Sequence, residues 1–294
     1  MRIPLPQTRL PDDLVAVAGE YADGTREPAE PRTAATVLLM RASSEGPALY
    51  YLRRQRSMSF AGGMAVYPGG GVDPRDFDIE VAWAGPSPQE WATRLGVDEE
   101  MARALVCAAA RETFEESGVL LAGASSSDVV ADTTGEDWEA DRVALESREL
   151  SLTSFLNRRG LVLRTDLLGA WDAWLTPVFE PRRFRTWFFV AALPEGQRTR
   201  DVSSESTSVE WLPARIAIDQ ADDGELAMMA PTYLTSMDVA SYDSPEAVLA
   251  EAATRSIDAV FTPAVEPMDD GYTLSMPDRL RPMLAQRLAG RPPS

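Results

Sequence analysis

The chain has no histidine, no lysine and a single cysteine, Cys107. Each absence removes a chemistry. Without histidine there is no Ser-His-Asp or Cys-His nucleophilic machinery and no histidine metal site. Without lysine there is no P-loop. A lone cysteine forms no intramolecular disulfide, which fits a reducing compartment. No run reaches the roughly 18 apolar residues of a membrane span. The opening MRIPLPQTRLPDD puts prolines where a secretory signal needs an apolar stretch. Positive charge is scarce too: 28 basic residues, all arginine, face 46 acidic ones, a net charge of −18. That balance disfavours nonspecific binding to nucleic acid or to an anionic membrane. The expectation is a cytoplasmic protein with neither partner, whose chemistry falls to carboxylates, hydroxyls, arginines and bound metal.

What is present is enough for a proper core: 294 residues, 45% of them hydrophobic. Residues 1–32, proline-rich and polar, read as a loosely held lead-in. TAATVLLM (33–40), PALYYLRR (47–54) and MAVYP (64–68) read as strands, and GGGVDPRD (69–76) as a turn-rich loop. An insertion at about 77–98 carries a helix with a Ser87/Glu90 capping box, Pro88 in its first turn and Gly96 as its stop. A second helix runs from Asp98, its N-cap, to Gly118. A further insertion at about 122–160 combines a small-residue loop with two helices. GAWDAWLTPVF, RFRTWFFVAAL and STSVEWLP supply three more strands, and 213–256 is mostly helical. Strands, a helix, more strands and then helices point to one mixed α/β domain over 33–215. The helical extension at 216–294 packs on the same domain.

The helix 99–117 breaks a local rule. Val106, Cys107, Ala110, Thr113 and Phe114 share one face, the one to bury, with Cys107 as core. Glu112, Glu115 and Glu116 crowd the other side. Glu112 and Glu116 form a like-charge i,i+4 pair, and all three sit where the helix dipole prefers cations. Arg111 relieves Glu115 alone. Two readings stay open on spacing: a solvated acidic face, or a carboxylate cluster on a rigid element that holds a hard divalent cation.

Read with the upstream loop, the segment GGGVDPRD…AARETFEESGV resembles the Nudix box, G-x5-E-x7-R-E-U-x-E-E-x-G-U, where U is a bulky aliphatic residue. Gly70 matches the first glycine. Arg111, Glu112, Glu115, Glu116, Gly118 and Val119 match the second half, and YPGG matches the family's usual aromatic-Pro-Gly-Gly lead. Three positions depart. The first glutamate falls on Asp76, which in the family pairs with the arginine; about 27 extra residues follow it, and Thr113 replaces an aliphatic residue. The insertion, with RETFEESGVLL and PRRFRTWFFVAALPEGQ, is most similar to the coenzyme A and acyl-CoA diphosphatase branch. The resemblance covers roughly residues 33–240.

The resemblance implies a Nudix fold, an α/β/α sandwich around a mixed β-sheet. It also implies metal-assisted attack of water on a pyrophosphate. The first substrate it suggests is coenzyme A or acyl-CoA, giving 3′,5′-ADP and (acyl)phosphopantetheine. NADH, ADP-ribose or a dinucleoside polyphosphate is the alternative, and a non-catalytic nucleotide-binding module the alternative of another class. Glu112, Glu115 and Glu116 would bind Mg²⁺ or Mn²⁺, with a backbone carbonyl from the Gly70 region. Arg111 completes the catalytic set, and Glu205 stands as second-site ligand or general base. Gly69, Gly70 and Gly71 would approach the phosphates, with Arg53, Arg54, Arg56, Arg183 and Arg185 as anion forks and Arg182 beside the last two. Trp171, Trp174 and Trp187 could stack an adenine or belong to the core. The helix with Trp91 and those at 136–158 could form a lid, a homodimer surface or plain packing.

Overall fold

The computed structural model describes residues 8–56, 61–204 and 206–290. In chain order they form α1 (Asp12–Ala22), β1 (Arg32–Ser43), β2 (Gly46–Arg54), β3 (Ala65–Val66), β4 (Gly69–Gly71), β5 (Trp83–Ala84), α2 (Pro88–Leu95) and α3 (Glu99–Ser117). There follow β6 (Ala122–Gly123), α4 (Glu136–Glu146), α5 (Leu152–Arg159), β7 (Val162–Arg164), β8 (Gly169–Leu175), β9 (Phe184–Ala192) and β10 (Ser206–Pro213). The last third holds α6 (Ala214–Asp222), α7 (Ala230–Val239), α8 (Pro245–Ala252), β11 (Val265–Met268), β12 (Gly271–Leu274) and α9 (Arg281–Ala289).

The main sheet is mixed, in the order β10-β2-β1-β9-β8, with β1 parallel to β9 and the other neighbours antiparallel. The period-2 alternation of a strand sorts its side chains between two helical layers. Val37 and Leu39 of β1 join Phe189 and the residues of α2, α3 and α5. Leu38 and Met40 join Trp171 and the residues of α6, α7 and α8. Because both faces are covered, β1 is buried continuously from Ala34 to Met40. The expected α/β/α sandwich is the architecture found.

Strand β1 changes partner along its length. It pairs with β2 over Met40–Ser43 and with β4 over Ala34–Thr36. The glycine strand is thereby laid across the middle of the sheet, facing the C-terminal half of α3. Both insertions pack rather than project. β5 of the first and β6 of the second flank β7 in a separate small sheet. Trp91 of α2 is fully buried, 5.9 Å from the Phe189 ring, so this helix is core and not a lid.

Two segments differ from expectation. The lead-in is held: Leu14 and Ala18 of α1 are buried with Phe179 and Leu274, and the Leu10 N–H donates to the Tyr272 carbonyl at 2.7 Å. The extension is not purely helical, since β11 and β12 form a hairpin in it. A short strand pair with Pro267 and two acidic residues at the turn carries little period-2 signal. The extension is fastened to the aromatic residue before the glycines. The Tyr67 hydroxyl meets the Thr232 carbonyl at 3.0 Å and the Ser236 hydroxyl at 2.5 Å, and Tyr51 reaches the same Ser236.

Candidate active site

Helix α3 is specified at both ends. Asp98 accepts from the Met101 N–H at 2.8 Å, and Gly118 closes the helix in the left-handed region at φ +73°. Phe114 stacks on Phe155 at 5.3 Å on the core side. The glutamate side is not solvated: Glu112 and Glu115 are buried, Glu116 partly so. Thr113, where an aliphatic residue is usual, is wholly buried with its hydroxyl donated to the Ala109 carbonyl at 2.7 Å. A β-branched side chain whose one polar atom is satisfied inside the helix serves in an apolar slot.

The glycines and the glutamates meet. The Gly69 N–H donates to Glu116 Oε2 at 2.8 Å. A Cβ added at Gly70 would lie 2.4 Å from Glu112 Oε1, and one at Gly69 would lie 2.6 Å from the Ala35 carbonyl oxygen. Contact this close is the physical need for glycine here. We therefore expect Gly70→Ala to lower turnover by about 10²-fold by displacing Glu112, an effect of ångström-scale misplacement. Steady-state rates beside a melting curve check it; an unchanged rate would show that Glu112 need not sit against the loop.

Arg111 organises the cluster. Its Nε and Nη2 donate to the two oxygens of Asp76 at 3.0 and 2.9 Å, its Nη1 to Glu112 at 2.7 Å and to Glu115 at 3.3 Å, and Nη2 also to the Gly71 carbonyl at 3.0 Å. The pairing with Asp76 is thus made despite the shorter side chain and the displacement in sequence. A single 3₁₀ turn at Pro74–Phe77 brings Asp76 back over α3, and the Asp73 N–H donates to Asp76 Oδ2 at 2.8 Å. The 77–98 insertion leaves after this turn and rejoins at the N-cap of α3, so it interrupts the motif in sequence but not in space.

Burial, then the charge of Glu112, pushes the Glu115 carboxyl up to about 7, against the pull of Arg111. The donor set is oxygen only and carries more negative charge than Arg111 neutralises, which suits a hard divalent cation. Among the described residues no three carboxylates converge on one point, because Glu112 and Glu115 lean on Arg111 and Glu116 on the Gly69 N–H. The residues fit such an ion in kind. Glu115 holds its proton more tightly folded than unfolded. Without a cation, its contribution is therefore full below about pH 4.5 and is lost as pH rises through 7. Mg²⁺ or Mn²⁺ should accordingly raise the melting temperature more at pH 8 than at pH 5.5. An equal rise at both would disconnect the cation from Glu115.

The acidic end of α3 also receives a cation that its own last turn lacks. Arg142 of α4, almost fully buried, donates from Nη1 to the Glu115 carbonyl at 2.7 Å and is held by Glu139 and Glu146. This guanidinium caps the orphan carbonyl and opposes the dipole. Glu146 also accepts from the Ser204 N–H at 3.1 Å. Sequence reasoning missed both residues. The i,i+4 spacing of Arg142 and Glu146 is an ordinary helical pair, and nothing local shows that α4 abuts α3.

A cleft of about 510 Å³ opens over this floor. Glu112, Glu115, Glu116, Glu146 and the three glycines line it, and so do the apolar side chains of Trp174, Phe184, Phe188, Met229 and Pro231. Of the expected arginines, Arg54 lines the cleft. Arg53 alternates to the other face of β2, and Arg56 is exposed beyond its end. Arg183 and Arg185 are corrected. On β9 the even-numbered Phe184, Thr186 and Phe188 face the cleft, so the odd positions point away. Arg183 is buried and donates to the carbonyls of Thr176 and Ala29, a structural tie. Of that group it is Arg182, just before the strand, that lines the cleft. Trp174 forms cleft wall, whereas Trp187 is core with its Nε1 on the Leu95 carbonyl, and Trp171 packs under Arg255. Glu205 lies outside the described residues, although its neighbour Ser204 lines the cleft.

The family model described as the NUDT19 Nudix domain matches residues 88–237. A Caenorhabditis elegans protein provisionally named nudix hydrolase 7 is 26% identical over 205 residues, 68% of this chain and 57% of that protein. The chain thus spans less than two thirds of that relative. The Xenopus laevis acyl-coenzyme A diphosphatase NUDT19 is 22% identical over 262 residues, 77% of this chain and 69% of that one. The crystal structure of a NUDIX hydrolase from Alicyclobacillus acidocaldarius superposes with a TM-score of 0.63 at 25% identity, covering 78% of this chain and 98% of the other.

Proposed function

The chain belongs to the Nudix hydrolase family, its NUDT19 Nudix domain filling half the sequence, and from that premise we propose that it hydrolyses the pyrophosphate of coenzyme A or an acyl-CoA. The products would be 3′,5′-ADP and the (acyl)phosphopantetheine. The observation that carries the catalytic reading is the meeting of Gly69–Gly71 with Glu112, Glu115 and Glu116 on the floor of one cleft. A non-catalytic module has no need to bury carboxylates at such electrostatic cost. The coenzyme A assignment draws on the amphibian relative's name and on the cleft's chemistry, a lining that combines carboxylates with apolar side chains.

In this reading Glu112, Glu115 and Glu116, with a carbonyl of the Gly70 region, hold Mg²⁺ or Mn²⁺. The ion, when bound, neutralises phosphate charge and acidifies a water. Gly69–Gly71 let the backbone approach the phosphates, and Arg111 fixes Glu112 and Glu115 through its fork on Asp76. Glu205 is proposed as the second-site ligand or general base, the support being that its sequence neighbour Ser204 lines the cleft. Arg54 and Arg182 flank the substrate, and the apolar wall at Trp174, Phe184 and Met229 takes the pantetheine or acyl arm. A cytoplasmic setting is proposed on the unpaired, buried Cys107. No helix among the described residues is long and apolar enough to cross a membrane.

The test is a hydrolysis screen of coenzyme A, acyl-CoAs, NADH, ADP-ribose and diadenosine polyphosphates with Mg²⁺ or Mn²⁺, with Glu115→Gln as control. Release of 3′,5′-ADP from coenzyme A or its thioesters is expected. Turnover of ADP-ribose alone would sink the coenzyme A assignment, and no turnover at all would sink the catalytic one.

A further inference from the structure

We propose that Arg148 is a substrate-binding residue whose guanidinium holds a phosphate group of the substrate at the mouth of the cleft. The proposal rests on the reading of the site as one for a nucleoside diphosphate derivative. Three observations converge on it.

The first is the backbone. Helices α2, α3 and α5 each end on a glycine in the left-handed region: Gly96 at φ +66°, Gly118 at +73° and Gly160 at +64°. At the end of α4 the left-handed residue is Arg148, at φ +63°. A side chain is disfavoured there and glycine is the usual solution. The turn is nonetheless pinned, by Arg75 Nη1 donating to the Arg148 carbonyl at 2.7 Å. A disfavoured conformation clamped by a neighbour is a common mark of a functional position.

The second is place. Arg148 lines the cleft two residues beyond Glu146, which lines it too. The third is charge. Its side chain is 78% exposed, with Asp73 3.8 Å from its Nε. That carboxylate is already held by Arg75, at 2.8 Å from Nε and 3.1 Å from Nη2, so its hold on Arg148 is weak. Arg148 therefore offers donors at the rim of a floor made of four carboxylates. A cation placed there offsets the repulsion that a phosphate would meet on entering, and its planar fork matches phosphate oxygens.

The experiment compares wild type with Arg148→Ala, Arg148→Lys and Arg148→Gly. On the substrate that the hydrolysis screen identifies, Arg148→Ala should raise KM by about 10- to 100-fold, the worth of a charge-assisted hydrogen bond, with kcat within about twofold. Arg148→Lys should recover part of the loss. Arg148→Gly should lose affinity equally while melting about 2 °C higher, because the backbone is relieved. Loss of binding together with a gain in stability is a pattern that a merely structural residue does not give. Coenzyme A and dephospho-coenzyme A locate the phosphate: a KM effect confined to the former assigns the extra phosphate, an equal effect the pyrophosphate. Unchanged KM in Arg148→Ala overturns the proposal. If wild type turns over nothing, the parent reading fails, and calorimetric titration with ADP decides for Arg148 alone: equal affinity in wild type and Arg148→Ala refutes it, and about tenfold weaker binding supports it.

Discussion

Replacing Glu115 by Gln is expected to lower turnover by on the order of 10²–10³-fold while raising the melting temperature of the cation-free protein. The two effects have one cause. Burial and the neighbouring Glu112 make the ionised Glu115 carboxylate costly, which is why its carboxyl is pushed up to about 7. Gln keeps the shape and can still accept from Arg111 Nη1, now 3.3 Å from both Glu115 oxygens. It removes the charge that repels Glu112 and that a cation would need. At pH 8 the variant should melt a few degrees higher than wild type in EDTA, and Mg²⁺ should stabilise it less. Activity and stability moving in opposite directions is the signature of a group retained for function. A variant as active as wild type would refute the site. One that melts lower would show instead that the carboxylate is a structural partner of Arg111.

The same balance explains what could be read from sequence. The strands, the two capped helices around residues 88–117 and the mixed α/β class follow from short-range signals: alternation, a Ser87/Glu90 box, an Asp98 cap and glycine stops. The meeting of Gly70 with Glu112 was legible only by resemblance, because no local periodicity links residues 42 positions apart. Arg183 and Arg185 were misplaced because composition shows that arginines are near a strand but not which face they take. One residue of register moves a side chain across the sheet, and Arg182 sits on the other side of that boundary. Arg142 was invisible for a further reason. The helix that needs a cation at its end and the helix that supplies it are joined by the packing of an insertion, with Arg142 27 positions beyond Glu115. Helix dipoles and caps can predict that α3 lacks a cation; they do not say where in the chain one will be found.

Asp76→Ala is expected to destabilise the fold by about 3 kcal/mol, at the low end for breaking a buried ion pair. Asp76 is 2% exposed, and its two oxygens take two of the five N–H donors of Arg111. Without it the guanidinium stays buried and leans wholly on Glu112 and Glu115, which keeps the cost from being larger but drags those carboxylates off the glycine loop. Turnover should therefore fall as well. For contrast, Asp12→Ala removes the exposed pair with Arg9 and should change stability by no more than about 0.5 kcal/mol. The sharper variant is Asp76→Glu, which restores the residue that the Nudix box has at this position. Here the 3₁₀ turn at Pro74–Phe77 already sets the Asp76 oxygens 2.9–3.0 Å from the Arg111 nitrogens, and the Asp73 N–H donates to Oδ2 as well. An added methylene has no room at so buried a site, so the consensus residue should cost about 1–3 kcal/mol by overpacking. Chemical denaturation of the three variants measures the series. If Asp76→Glu is as stable as wild type, the turn yields to the longer side chain, and the aspartate is not what the inserted segment requires.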